Sequence, residues 1–169
     1  VKIQEAEYKN IYSSRKVIKN LDLNPTKQDY YSEDIWSVVN KEIESYLSNG
    51  LTIYGEIVGY LSNGSMIQKD YDYGCDINKH KLYIYRITYT NNEGKVFEFS
   101  GRQVQIWCKQ NGLLPVSELY YGTANDLFLQ LKNKFNIDGE FEDSFIECLK
   151  KEYLEKTCNN LPLPYINCN

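Results

Sequence analysis

The residues of this chain best suited to chemistry are one carboxylate and a row of aromatic rings on two neighbouring strand-like runs. The carboxylate is Glu56, framed by Gly55 and Gly59 within Leu51–Tyr60. The rings are Tyr83, Tyr85 and Tyr89 within Lys81–Thr90. A flat ring stacks on a nucleobase, and a carboxylate accepts a hydrogen bond from a ribose hydroxyl, so the pair suits a nucleotide. Glycine inside a strand marks a bulge, or a place where a ligand approaches the backbone. The plain alternative is an exposed strand glutamate beside half-buried strand rings. The chain has 16 tyrosines, and tyrosine favours strands in general, so most of them need no other role.

Hydrophobic alternation predicts the two runs as strands. Leu51, Ile53 and Ile57 fall on one side of the first, with Tyr54, Glu56, Val58 and Tyr60 on the other. In the second, the same period puts Tyr83, Tyr85, Ile87 and Tyr89 on one face. The loop Leu61–Lys81 joins them and opens with a tight turn at Asn63-Gly64. Upstream, Val1–Lys19 reads as two short strands, the second being Ile11–Ile18, followed by the polar loop Leu21–Tyr31. Ser32 is the expected N-cap of a helix whose apolar stripe is Ile35, Val39, Ile43 and Leu47, with Trp36 beside it and Asn49-Gly50 as its stop.

Downstream, Thr90–Gly94 predicts a hairpin leading into Lys95–Phe99. Ser100 and Gln103 make a capping box that opens the helix Gly101–Asn111, with Val104, Trp107 and Cys108 inward and Gly112 at its end. Short strands are expected at Leu113–Val116 and Leu119–Tyr121. A helix then runs from after Thr123 to about Lys134, and another spans Glu142–Lys156 with Phe141, Phe145, Leu149 and Tyr153 on one face. Strands and helices mix without βαβ regularity, which gives an α+β class.

The motifs in the middle of the chain resemble those of a known family. Tyr54-Gly55-Glu56-Ile57-Val58-Gly59 resembles nucleotidyl motif III of the ATP-dependent RNA ligases, and Leu82-Tyr83-Ile84-Tyr85-Arg86 resembles motif IIIa. Ile67-Gln68-Lys69 and Tyr71-Asp72-Tyr73-Gly74-Cys75 look like the linker between those motifs in phage-type and bacterial RNA ligases. The segment from Ser13 to Asn20 resembles the serine-arginine stretch that follows the nucleophile in that family. The resemblance is specific in the middle and weak at both ends. It implies antiparallel sheets flanked by helices, as in the ligase and capping-enzyme nucleotidyltransferase domain. Residues 1–156 would be part of that domain, and 157–169 an irregular tail leading toward motif IV.

The same resemblance implies ATP and Mg²⁺ as cofactors and RNA ends as substrates. Tyr85 would stack on adenine, and Glu56 would contact the ribose or a metal ion through water. Arg15 would lie near the nucleotide, with Lys69 and Arg86 meeting phosphate or RNA. The family often carries an acidic residue after the stacking ring, where this chain has Arg86. Its chemistry starts when a lysine amine attacks the α-phosphate of ATP, expelling pyrophosphate and leaving lysyl-AMP. That lysine sits in a K-x-[D/H/N]-G pattern upstream of motif III. The one formal match, Lys109-Gln110-Asn111-Gly112, lies downstream of Glu56 at a predicted helix end and reads as a plain stop. Lys2 has no glycine at the required distance. No catalytic residue is therefore expected within the chain. The acidic motif IV and the paired lysines of motif V are expected beyond it, in the remainder of a larger ligase polypeptide. The runner-up is a non-catalytic nucleotide- or RNA-binding module on the same fold, and a third reading is a structural protein whose tyrosines only build sheets.

Composition narrows the field further. A net charge of −4 excludes an electrostatic nucleic-acid binder built on the whole surface. Five widely spaced cysteines, an odd number, do not form a disulfide framework and fit a reducing cytoplasm. Cys158 and Cys168 are too far apart for a zinc knuckle. The single histidine, His80, lies between two lysines and is expected as a solvated loop residue. No apolar run approaches the roughly 18 residues of a membrane span, and no signal peptide is evident. A start at Val1 rather than Met fits a trimmed piece of something longer.

Overall fold

The computed structural model describes residues 10–16, 18, 19 and 33–153. Within them lie α1 (Ile35–Ile43), β1 (Leu51–Gly59), β2 (His80–Thr90), β3 (Val96–Glu98), α2 (Gly101–Gln110), β4 (Leu114–Pro115), α3 (Ala124–Phe135) and α4 (Phe141–Tyr153). The class is α+β. β1 and β3 flank β2 as antiparallel neighbours, and the two-residue β4 adds a parallel pairing to β2 at Tyr83 and Ile84. Among the described residues, no helix is long and apolar enough to cross a membrane.

One face of the sheet is covered by helices. Ile84 and Ile87 of β2 are fully buried with Val104 and Cys108 of α2, and Leu51, Ile53, Leu82 and Trp107 pack around them. Ile35 and Val39 of α1 close over Leu61, with Ile57 and Leu82 beneath. α2 begins as the sequence predicts. Ser100 Oγ accepts from the Gln103 amide at 3.3 Å, and Gln103 accepts from the Ser100 amide at 2.7 Å.

α1 departs from expectation at both ends. Its N-cap is Asp34, whose carboxylate accepts from the Ser37 amide at 3.3 Å, while Ser32 lies outside the described residues. Its last turn tightens into a 3₁₀ helix at Glu44–Tyr46, so Leu47 of the predicted stripe is extended. The predicted strand Ile11–Ile18 is instead a reversal. Ser13 bridges Ile18 antiparallel, and the Lys19 amide donates to the Tyr12 carbonyl at 3.0 Å. The polar Ser14-Arg15-Lys16 lies inside that reversal, which suits a turn better than a strand. Tyr12 and Lys19 tie the reversal to Asp34 at 3.1 and 3.8 Å.

Leu119–Tyr121 forms no strand. Arg102 draws this segment onto α2 by lying 4.0 Å over the Tyr121 ring and pairing with Glu118 at 3.6 Å. α3 and α4 then form a helical hairpin with its own core. Phe128 meets Phe141 and Phe145 edge-on, with centroids 5.6 and 6.2 Å apart, and Leu131 and Cys148 are buried beside them. Asn136 turns the chain in the left-handed conformation (φ 50°) at the end of α3. The predicted extension of α4 to Lys156 lies outside the described residues.

Candidate functional site

The face of the sheet away from α1 and α2 carries Glu56 and Arg86, and a bulge decides their arrangement. β1 and β2 pair in one register from Leu51↔Tyr89 to Tyr54↔Arg86, then shift by one residue so that Gly55 meets Ile84. Tyr85 is the residue skipped. The shift reverses the inward parity of β2, so Ile84 and Ile87 both enter the core although they are three residues apart. The expected common face of Tyr83, Tyr85, Ile87 and Tyr89 is therefore not formed. Glu56 stands opposite Tyr83, and Tyr54 opposite Arg86, all four on the face away from α1 and α2.

Both glycines around Glu56 have packing reasons. A Cβ on Gly55 would lie 2.6 Å from Leu82 Cδ1 and 2.9 Å from the Tyr83 carbonyl oxygen. Gly59 has φ +99°, and a Cβ there would meet the Lys79 carbonyl at 2.6 Å and Cys75 Sγ at 2.8 Å. At Gly55 the crowding comes from β2, and at Gly59 from the long loop after β1, which folds back over the end of the sheet. Tyr60 donates its amide to the Lys79 carbonyl at 2.8 Å, and Ile67 to the Gly59 carbonyl at 2.9 Å. Val58, Tyr60 and Cys75 are buried there, with Met66, Tyr73 and Tyr83 against them.

Glu56 itself is exposed, and its side chain has no hydrogen bond or ion pair among the described residues. Its charge is felt by Tyr73, whose phenol pKa is raised by burial first and by the Glu56 carboxylate second. The Tyr73 hydroxyl donates to Gln68 Oε1 at 2.5 Å, and the Tyr71 and Tyr73 rings lie 6.0 Å apart. Tyr85 is 52% exposed, a ring available for stacking. Lys69 is exposed in the tight turn between Gln68 and Tyr71, beside Asp70 at φ 67°.

Arg86 is already engaged. Its Nε and Nη2 donate to the two oxygens of Glu98, each at 2.9 Å, and its guanidinium lies 4.8 Å over the Tyr54 ring. The pair holds the Glu98 carboxyl below the usual carboxylate range and raises the guanidinium further. Arg15 belongs to the reversal anchored on the start of α1, which covers the opposite face of β1 from Glu56. Glu56, Tyr83, Tyr54 and Arg86 thus come together, and Arg15 is attached elsewhere.

Mg²⁺ is usually held by one or two carboxylates together with substrate phosphates. Among the described residues no group of three or more His, Cys, Asp or Glu converges on one point. Glu56 alone fits such an ion only with a phosphorylated ligand present. His80 is not the solvated loop residue expected, because it opens β2 opposite Gly59 and sets Nε2 3.2 Å from both oxygens of Glu42. Lys109 lies in the last turn of α2, and Gly112 has φ +68°, the geometry of a helix stop.

Alternation places Tyr54 beside Glu56, as found, but Tyr73 and Glu98 were missed as members of this face. A signal for Glu98 existed, since counting back from the Thr90–Gly94 turn puts Thr88 opposite Glu98 and Arg86 on its diagonal. Tyr73 had none, because a long loop carries it to Glu56. Compared with protein-family models, with curated proteins and with solved structures, the chain matches none.

Proposed function

We propose that this chain is the middle of the catalytic domain of an ATP-dependent RNA ligase, which joins RNA ends through lysyl-AMP and RNA-adenylate intermediates. Its nucleophilic lysine would come from outside these residues. One observation carries the reading. Among the described residues Glu56 is an exposed carboxylate without a hydrogen bond or ion pair, on the sheet face away from α1 and α2, set among tyrosines and one bulge away from the exposed ring of Tyr85. In this role Glu56 accepts the ribose hydroxyls, Tyr85 stacks on adenine, and Lys69 meets phosphate. Mg²⁺ would be held by the phosphates and reach Glu56 through water, and would supply charge neutralisation at the α-phosphate and the departing pyrophosphate. Such a ligase works in the cytoplasm, where Cys75, Cys108 and Cys148 remain free thiols.

A second reading keeps the nucleotide and drops the reaction, leaving a nucleotide- or RNA-binding module on the same face. It is favoured by the packing of Gly55 and Gly59, which accounts for the glycine frame of the motif without a ligand. Label transfer separates the two. The chain, and the longest open reading frame containing it, are incubated with α-labelled ATP and Mg²⁺, denatured and examined for retained label. The ligase reading expects no label on the 169 residues and label on the longer product. Label on the short chain would contradict the assignment of the nucleophile. If neither protein is labelled, the binding module replaces the enzyme.

A further inference from the structure

We infer that the Arg86 guanidinium is a second stacking platform, so that this face takes a single-stranded oligonucleotide rather than a mononucleotide alone. The inference rests on the nucleotide reading of Glu56 and Tyr85. Three observations define the platform. Glu98 holds the guanidinium edge-on through two 2.9 Å hydrogen bonds, which fixes its plane. Tyr54, directly opposite in the register, backs the guanidinium at 4.8 Å. The Arg86 side chain is nevertheless 41% exposed, so part of it remains open to solvent.

The chemistry of the group selects the ligand. Two of its donors are spent on a carboxylate, so Arg86 and Glu98 together present no net charge to a phosphate. What remains is a flat, preorganised surface, and nucleobases stack on guanidinium planes as they do on aromatic rings. Tyr54 and Glu56 are two residues apart on one strand and face, about 6.7 Å, which sets the platform one nucleotide's reach from the first site. Tyr85 precedes Arg86 at the bulge, its phenol near enough to act on the guanidinium, and supplies the first ring. A base bound at Tyr85 therefore leaves its neighbour over Arg86.

The test compares AMP with the dinucleotide pApA by fluorescence titration, for the native chain, Arg86→Lys and Arg86→Met, with circular dichroism confirming that each variant folds. Arg86→Lys keeps the charge and loses the plane. The native chain is expected to prefer pApA by about tenfold, with the preference persisting between low and physiological salt, and both variants should bring the ratio near one. Equal binding of the two ligands by the native chain overturns the platform while leaving the mononucleotide site intact. A preference retained in Arg86→Lys, or erased by salt, overturns it in favour of a phosphate contact. Binding of neither ligand removes the nucleotide reading itself, and the platform with it.

Discussion

Glu56 faces Tyr83 across the β1–β2 pair, while Tyr85, the ring expected to stack, is passed over by the register and left half-exposed. The two tyrosines therefore have separable roles. Tyr83 packs against Val58, Tyr60 and Cys75, and Tyr85 is the ring a ligand can reach. Tyr85→Leu should weaken AMP binding by about 1–3 kcal/mol, the range of one base–aromatic stack, with little change in melting temperature. Tyr83→Leu should lower the melting temperature. Titration and thermal denaturation of both variants check this, and the reverse pattern would assign the stacking role to Tyr83.

Gly55 is required by the bulge. Gly55→Ala pushes a methyl group against the Tyr83 carbonyl and Leu82, and should destabilise the protein by about 1–3 kcal/mol in urea denaturation. Gly101→Ala is the control. It sits at the first position of α2 with nothing within 4 Å of the added carbon, and should leave stability unchanged or raise it by up to about 1 kcal/mol.

The α3–α4 hairpin has a core separate from that of the sheet. Phe128→Ala removes the ring that meets both Phe141 and Phe145, and should cost about 3–5 kcal/mol in the unfolding of that hairpin. Near-ultraviolet dichroism and hydrogen exchange locate the loss. Protection in β1 and β2 should outlast protection in α3 and α4.

Acid sensitivity follows from Glu98 and Glu33. Hydrogen bonds from Arg86 and from Ser62, respectively, lower the folded-state pKa of each below the ordinary glutamate value of 4.5. A lowered carboxylate pKa contributes stability that is present above 4.5 and is lost as pH falls through the folded-state value. The difference in melting temperature between the native chain and Glu98→Gln should therefore be constant near neutrality and shrink below about pH 4.5. Both carboxylates are solvent-screened, so the difference is expected to be small.

Much of the fold was legible from local chemistry. The capping box at Ser100, the turn at Thr90–Gly94, the helix start after Thr123 and the Phe141–Phe145–Leu149–Tyr153 stripe all appear where the sequence puts them, because each depends on near neighbours alone. The candidate face was only half legible. Alternation predicts sides correctly in β1, but no local rule announces that Tyr85 is skipped, and that one residue moves Ile84 and Ile87 into the core together. The glycines were read as a bulge or a ligand's approach to the backbone; Gly55 does sit at the bulge, while the atoms that crowd Gly59 are the protein's own. The reversal at Ser13–Ile18 and the long fold-back that brings Tyr73 to Glu56 depend on tertiary contacts, which spacing along the chain does not encode.

In the proposed role Glu56 binds the ribose of an adenine nucleotide. Equilibrium dialysis of labelled AMP against the native chain and Glu56→Gln tests it most directly, since this substitution keeps the shape and removes the charge. Saturable binding is expected of the native chain, weakened about tenfold or more in the variant, in line with the roughly 1.5–3 kcal/mol of a charge-assisted hydrogen bond. Equal affinity in both proteins, or no saturable binding by the native chain, would contradict it.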